Sequence, residues 1–313
     1  MKIKYEDLKK VNQPFFKDYK NCFEELLDSG WYILGNKLRL FEKEFSNYLK
    51  VKYCVGVASG LDSLTLALKA LNLKKGDEVI VPSNTYIATI LSILNNQLIP
   101  VLVEPNVQTY NIDPSKIEEK LTQRTKAILV VHLYGKPCDM IQIDKVAKKY
   151  KLPIIEDCAQ AHGASIDGKL TGSFGIFGCF SFYPTKNLGG LGDGGAIVTN
   201  NSKKINFLKA YRNYGSDNKY YNDIIGVNSR LDDLQAAFLL IKLKYLEKIN
   251  AHKCELAHLY HTYLDQRFIK PALDPRYSEV YHIFPIRFEK RDELKKYLES
   301  NDIYTEIHYP VPP

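Results

Sequence analysis

In the stretch SFYPTKNLGG, residues 181–190, Lys186 stands between an aromatic run and a string of glycines. A lysine that ends a strand-like segment ordinarily points into water and serves solubility. Here the aromatic side can desolvate the amine, and the glycine-rich side lets a flat ligand approach closely. An amine so placed has a lowered pKa and can act as a nucleophile toward a carbonyl. Upstream, LPIIEDCAQAHG closes an apolar run with Glu156 and Asp157. A carboxylate there is partly desolvated and calls for a cationic partner or several hydrogen-bond donors; the plainer alternative is that Asp157 caps the next turn. A metal site would want a second carboxylate or a His pair at ligand spacing, which His162 alone does not supply, so no metal is expected. Earlier still, VASGLDSL leads a small-residue turn, Ser59-Gly60, straight into a helical pattern. Free N–H groups at a helix start favour a phosphate, although an ordinary N-cap by Ser59 or Asp62 accounts for the same residues. GGLGDGG (189–195) lacks the spacing of a nucleotide loop. Taken jointly, the three places describe a phosphorylated aromatic aldehyde whose ring nitrogen needs an anionic partner, and pyridoxal 5'-phosphate has all three parts.

Positioning these groups requires an open sheet with ligands beyond the carboxyl ends of its strands. The sequence alternates accordingly. YCVGVAS (53–59) reads as a buried strand and GLDSLTLALKALNL (60–73) as a helix with Leu61, Leu64, Leu68 and Leu71 on one stripe. EVIVPS then precedes helical YIATILSILNNQ, IPVLVEP precedes DPSKIEEKL, and KAILVVHLYG precedes DMIQIDKVAKKY, with strand LPIIEDC after it. Such repetition predicts parallel strands with crossover helices on both faces. FGCFSFY and GGAIVTN follow with no long helix between them, so the sheet is expected to be mixed at that end. From about Leu231 a long helical pattern begins, the kind that links a large domain to a smaller one; YHIFPIRF beyond it reads as a strand and RDELKKYLES as a helix. The expected division is a large domain over 1–240 and a small α/β domain over 241–313, which reads as truncated because the sequence ends abruptly at IHYPVPP.

The 313 residues, 45% apolar and 25% charged, can bury one large core or two moderate ones. No apolar run reaches the roughly 18–20 residues of a membrane span, and MKIKYEDLKKVNQPFF lacks a leader's apolar stretch, so a cytoplasmic protein is expected. Six scattered cysteines with no CxxC pair fit reduced thiols. The formal charge of +7 arises from interleaved lysines and carboxylates, as in EKRDELKKYLES; that is the pattern of solvated helix faces, not of a nucleic-acid surface.

The segments SGLDSLTLAL, VPSNTYIAT, IEDCAQAHGA, SFYPTKNLGGLGDGGAIVTN and GVNSRLDDLQAA resemble, in order from about residue 10 onward, the DegT/DnrJ/EryC1/StrS family of pyridoxal-phosphate-dependent nucleotide-sugar aminotransferases. The resemblance implies an α/β, aspartate aminotransferase-like fold (fold type I), with a mixed, mostly parallel sheet flanked by helices and a smaller C-terminal domain. It also implies a homodimer with shared active sites. By position, Lys186 would join covalently to the cofactor aldehyde and carry the proton, Asp157 would pair with the ring nitrogen, Tyr86 would stack on the ring, and Gln160 would lie against its other side or its ring hydroxyl. Ser59, Gly60, Leu61 and Ser181 would hold the phosphate, with Asn228 reaching it from the neighbouring subunit. Lys219 and Tyr220 or Tyr221 would contact the nucleotide diphosphate, while Tyr183 and His308 face the sugar. Relatives that dehydrate sugars commonly have histidine in place of this lysine, so transamination from L-glutamate is implied. IPVLVEPNVQTYNIDP, with Glu104, and YRNYGSDNKYYNDIIGVNSR are similar to the branch that aminates C3 of dTDP-3-keto-6-deoxyhexoses. Amination at C4 or of an inosose is the enzymatic alternative; a non-catalytic sensor or inactive partner that binds the cofactor is the alternative of another class.

Overall fold

The computed structural model describes residues 2–216 and 220–313. Helices α1 (Leu8–Asn12), α2 (Phe16–Ser29) and α3 (Asn36–Tyr48) lead into β1 (Tyr53–Val57) and α4 (Gly60–Ala70). Then come β2 (Glu78–Pro82), α5 (Ile87–Asn95), β3 (Ile99–Val103), β4 (Thr125–Val131), α6 (Met140–Tyr150) and β5 (Ile154–Asp157). Two short strands, β6 (Ser165–Ile166) and β7 (Lys169–Leu170), precede β8 (Phe177–Ser181), β9 (Gly195–Thr199) and α7 (Ser202–Tyr211). The remainder is α8 (Asp233–Leu243), α9 (Leu246–Tyr263), β10 (Tyr277–Ser278) and α10 (Arg291–Ser300).

Seven strands form one sheet in the order β1-β9-β8-β5-β4-β2-β3, parallel throughout except for β9, which runs antiparallel to both its neighbours. The mixed end expected from FGCFSFY and GGAIVTN is therefore β9 inserted between β1 and β8. The period of two decides which residues reach which layer. Val55, Val79, Val81, Ala127, Leu129, Phe177 and Ile197 face one way, into a core shared with Leu64, Ala67 and Leu68 of α4. Cys54, Phe180, Ala196 and Val198 face the other way, onto Leu38, Phe41 and Phe45 of α3, and Ile80, Ile128 and Val130 onto Met140, Ile143 and Val146 of α6. Phe45 meets Phe180 and Phe182 edge-on at centroid separations of 5.0 and 5.5 Å, a geometry worth about 0.5–1.5 kcal/mol per pair beyond area burial. The consequence is a rigid platform whose carboxyl edge carries the loops after β1, β5 and β8.

Three local expectations are corrected. DPSKIEEKL is not a helix but two 3-10 turns, Pro114–Lys116 and Glu118–Lys120, since a segment this short and with Ile117 as its buried anchor cannot offset helix nucleation. The long pattern after Leu231 divides into α8 and α9, broken where the Tyr245 N–H turns back to the Lys242 carbonyl (2.9 Å) and its ring packs 5.3 Å from Phe15. YHIFPIRF is not a strand: Pro285 has no N–H to give a ladder, Tyr281 sits at φ 42°, and apart from one bridge between Ile269 and Arg287 its backbone is tied to the 134–135 turn. Among the described residues no helix is long and apolar enough to cross a membrane.

Candidate active site

The turn after β1 and the end of β8 touch because two side chains are missing. β9 begins at Gly195, which is in register with Val57 of β1 on one side and Ser181 of β8 on the other. The chain leaving β1 crosses over that start. A Cβ on Gly195 would lie 2.3 Å from the Ser59 carbonyl oxygen, and one on Gly60 would lie 2.5 Å from the Ser181 Cβ. Ser59 is the N-cap of α4, its hydroxyl accepting from the Asp62 N–H (3.1 Å). Capping leaves the N–H groups of Gly60 and Leu61 with no acceptor inside the helix. Together with the helix dipole and Ser181 they form a cradle suited to an anion. Ser229 pins this turn from a third direction, accepting from the Ala58 N–H (3.1 Å) and donating to Asp62 Oδ2 (2.7 Å).

The two carboxylates that close β5 do different work. Glu156 is wholly buried and accepts from the N–H groups of Gly172 (2.8 Å), Phe174 (2.7 Å) and Gly175 (2.7 Å), which ties down the loop before β8. His132 Nδ1 accepts from the Cys138 N–H (3.0 Å), which leaves its Nε2 to donate to Glu156 (3.0 Å). Cys158 lies beside this pair, but the oxygens and nitrogens a metal would need are already engaged by backbone donors and each other. Asp157 is also buried and accepts from the Thr89 hydroxyl (2.9 Å) and the Ala159 N–H (3.1 Å). Burial pushes its carboxyl above the usual range; these two donors and the charge on Lys186 pull it back toward the ionised form. The sequence leaves open a turn cap or an anionic partner at Asp157; the Ala159 contact is the turn cap, and Asp157 Oδ2 is also engaged by the Thr89 hydroxyl.

Lys186 lies in the turn after β8, where its N–H bonds the Tyr183 carbonyl (2.9 Å) and a Cβ on Gly189 would strike the Pro184 carbonyl at 2.3 Å. Desolvation pushes its amine down to about 8, against the opposing charge of Asp157. At neutral pH roughly one such amine in ten is unprotonated, against one in about three thousand for a free lysine. His282 Nε2 is 3.5 Å from the amine. Burial lowers the pKa of His162, to about 3, and of His308, and in both the Lys186 charge acts in the same direction.

Gln160 is oriented by the Tyr134 N–H, which donates to its Oε1 (2.6 Å), and its Nε2 donates to the Tyr309 hydroxyl (2.9 Å). The Tyr309 ring is 5.7 Å from that of Tyr86, so Tyr309 links Gln160 to Tyr86. His308 is held by its carbonyl, which accepts from the Tyr134 hydroxyl (2.5 Å), and by stacking on Tyr5 at 5.6 Å.

The structure brings Ser59 and Gly60 against Gly195 and Ser181, places Asp157 and His308 where the charge of Lys186 bears on them, and joins Gln160 to Tyr86 through Tyr309. Tyr183 is half exposed. Asn228, Tyr220 and Tyr221 stand on an exposed segment, the two tyrosines at 85% and 70% of full exposure, and Lys219 lies outside the described residues. Sequence reasoning passed over Thr89, Tyr134, Tyr309 and His282. Thr89 was findable, since it falls one helical turn after Thr85 in SNTYIAT and the two hydroxyls are 2.7 Å apart. His282 was hidden by reading its segment as a strand.

Comparison with known proteins identifies the family and the fold. The profile of the DegT/DnrJ/EryC1/StrS aminotransferase family matches residues 16–313. A dTDP-3-amino-3,6-dideoxy-alpha-D-galactopyranose transaminase from Aneurinibacillus thermoaerophilus is 53% identical over 99% of this chain and 86% of its own length. The crystal structure of DesV from S. venezuelae superimposes with a TM-score of 0.97 at 43% identity, covering 99% of this chain and 84% of that one. The crystal structure of NtdA from Bacillus subtilis, with bound PMP, gives a TM-score of 0.93 at 36% identity over 99% of this chain and 73% of that one. This chain belongs to the DegT/DnrJ/EryC1/StrS aminotransferase family and has its fold type I architecture.

Proposed function

We propose that this family member transfers an amino group from L-glutamate to C3 of a dTDP-3-keto-6-deoxyhexose, using pyridoxal 5'-phosphate. The observation that carries the reading is the Lys186 amine, held near neutrality in its pKa beside a buried carboxylate and an anion cradle. The residues fit the cofactor: the Gly60 and Leu61 N–H groups with Ser59 and Ser181 for its phosphate, Asp157 for its ring nitrogen, and Tyr86 and Gln160 for its two flanks. When bound, the cofactor supplies an aldehyde that takes up the amino group and a ring that accepts electrons as the donor's proton leaves. Asp157, with Thr89 and Ala159 favouring its charged form, would hold a proton on the ring nitrogen. Lys186 would hold the cofactor aldehyde and, as a free amine, would move a proton between the substrate carbon and the cofactor in each half of the reaction.

The choice of C3 is supported by the Aneurinibacillus relative, whose name is that of a 3-amino sugar transaminase. The working unit in this reading is a homodimer. Asn228 of one subunit completes the other's phosphate site, Lys219 with Tyr220 or Tyr221 meets the nucleotide diphosphate, and Tyr183 with His308 faces the sugar. The exposure of Asn228, Tyr220 and Tyr221 is consistent with a partner covering them. Residues 1–240 form the cofactor domain in this scheme and 241–313 the smaller one.

Borohydride reduction of the loaded protein followed by peptide mapping should place the label on Lys186. Incubation with glutamate and a panel of dTDP-linked 3-keto and 4-keto 6-deoxysugars should then yield a 3-amino product by mass spectrometry and NMR. A label elsewhere sinks the assignment of the lysine, and product from the 4-keto sugars alone sinks the assignment of C3.

A further inference from the structure

The lysine amine has one hydrogen-bond partner among the described residues, and it is not a carboxylate. Among the described residues Lys186 makes no ion pair within 4.0 Å; its hydrogen-bond partner is His282 Nε2 at 3.5 Å, the long end of hydrogen-bond distance. The imidazole is neutral: His282 is held well below the usual range by burial first, and then by Lys186, Lys253, His162 and His308. Its Nδ1 is shut off from solvent with no partner among the described residues, and Nε2 is the nitrogen that faces Lys186.

The backbone that carries His282 is fixed from both sides. Asn187, the residue after the lysine, donates from Nδ2 to the Val280 carbonyl (2.9 Å) and to Asn250 Oδ1 (2.8 Å), and Asn250 Nδ2 donates to the His162 carbonyl (2.8 Å). On the far side the Val280 N–H bonds the Gly135 carbonyl (3.0 Å) and the Ile283 N–H bonds the Tyr134 carbonyl (3.2 Å). Gly135 has φ +98°, and a Cβ there would lie 2.9 Å from the backbone nitrogens of Tyr281 and His282. The chain has thus given up a side chain to bring this segment close, and has tied it to the lysine's own turn.

We propose that His282 is a positioning residue for Lys186, its neutral Nε2 accepting a hydrogen bond from the ammonium and so aiming and holding the protonated amine in the cleft. This rests on the proposed function in so far as Lys186 is the reacting amine. An acceptor stabilises the charged form, so its removal lowers the pH at which the amine loses its proton. The other groups whose charge bears on Lys186 or on His282 are Asp157 from β5, His162 from the turn after it, His308 from the C-terminal segment and Lys253 from α9, while Lys242 of α8 bears on His162. All stay in place in the variants.

The test is competitive labelling of Lys186 with trace acetic anhydride as a function of pH. It uses the full-length protein with its cofactor in the aminated form, in which the lysine is free. His282→Phe is expected to lower the titration midpoint by about one pH unit, a tenfold rise in reactive amine below the midpoint. Its kcat should fall at least about tenfold, with a smaller change in KM. His282→Gln, which restores an acceptor, should bring the midpoint back toward that of the unaltered protein. If His282→Phe does not fold, His282→Asn, too short to reach, must show the lowered midpoint instead. A midpoint unchanged in these variants, or displaced equally in His282→Gln, overturns the proposal even where borohydride has placed the cofactor on Lys186. A borohydride label elsewhere would undo the functional reading itself.

Discussion

The cleft at the ends of β5 and β8 and the segment from Tyr214 to Asn228 contain residues expected at one site, yet they are built in opposite ways. In the cleft several polar groups are fixed by partners: Asp157 has Thr89 and Ala159, Gln160 has Tyr134 and Tyr309, and Asn187 ties the lysine turn to the His282 segment. On the segment, Tyr220, Tyr221, Ile225 and Asn228 face outward. Catalytic geometry has to be preorganised within the chain, whereas recognition can be left to a surface that a partner or a substrate completes. The contrast separates what one chain does alone from what the proposed pair does together.

The sharpest way to break the comparison is to disable one region in each of two chains. Lys186→Ala should lose turnover by about 10⁴-fold or more. Asn228→Ala should lose about ten- to a hundredfold through a weakened charge-assisted contact to phosphate. Mixing the two variants should form hybrid dimers with one intact site and recover activity well above either alone. No recovery on mixing would mean that the exposed segment serves its own subunit. Within the cleft, Thr89→Val removes a donor that favours the Asp157 carboxylate, so the carboxyl pKa rises and more of it is protonated at mildly acidic pH. The acid limb of the pH–rate profile should move to higher pH by about one unit, and an unmoved limb would show that the Ala159 N–H alone suffices. The smallest effect belongs to the surface: Tyr221→Phe should raise KM for the sugar nucleotide about threefold and leave kcat unchanged. A large fall in kcat there would blur the division between the two regions.

Much of this architecture was legible because strands buried on both faces read as apolar runs, and each was followed by a residue the sheet then placed at its carboxyl end. Ser59, Asp157 and Lys186 were found by that logic. Glu156 and Asp157, adjacent in sequence, could not be told apart by type; they differ because alternate residues of β5 point to opposite faces, one toward the loop at 172–175 and the other toward Lys186. Local pattern failed where tertiary contacts set the backbone. The break between α8 and α9 has no glycine or proline to announce it, and the His282 segment owes its path to Gly135 and Asn187, both far away in sequence.

The insertion of β9 between β1 and β8 bears on biosynthesis as well as on geometry. A nascent chain that has emerged only as far as Ser181 contains both walls of the anion cradle but not the strand that stands between them. Ser59 and Ser181 cannot take up their final spacing until Gly195–Thr199 has been made and has inserted between β1 and β8. On the proposed reading, cofactor capture waits for that strand, and a ribosome-stalled fragment ending before β9 should have nowhere to grip a phosphate.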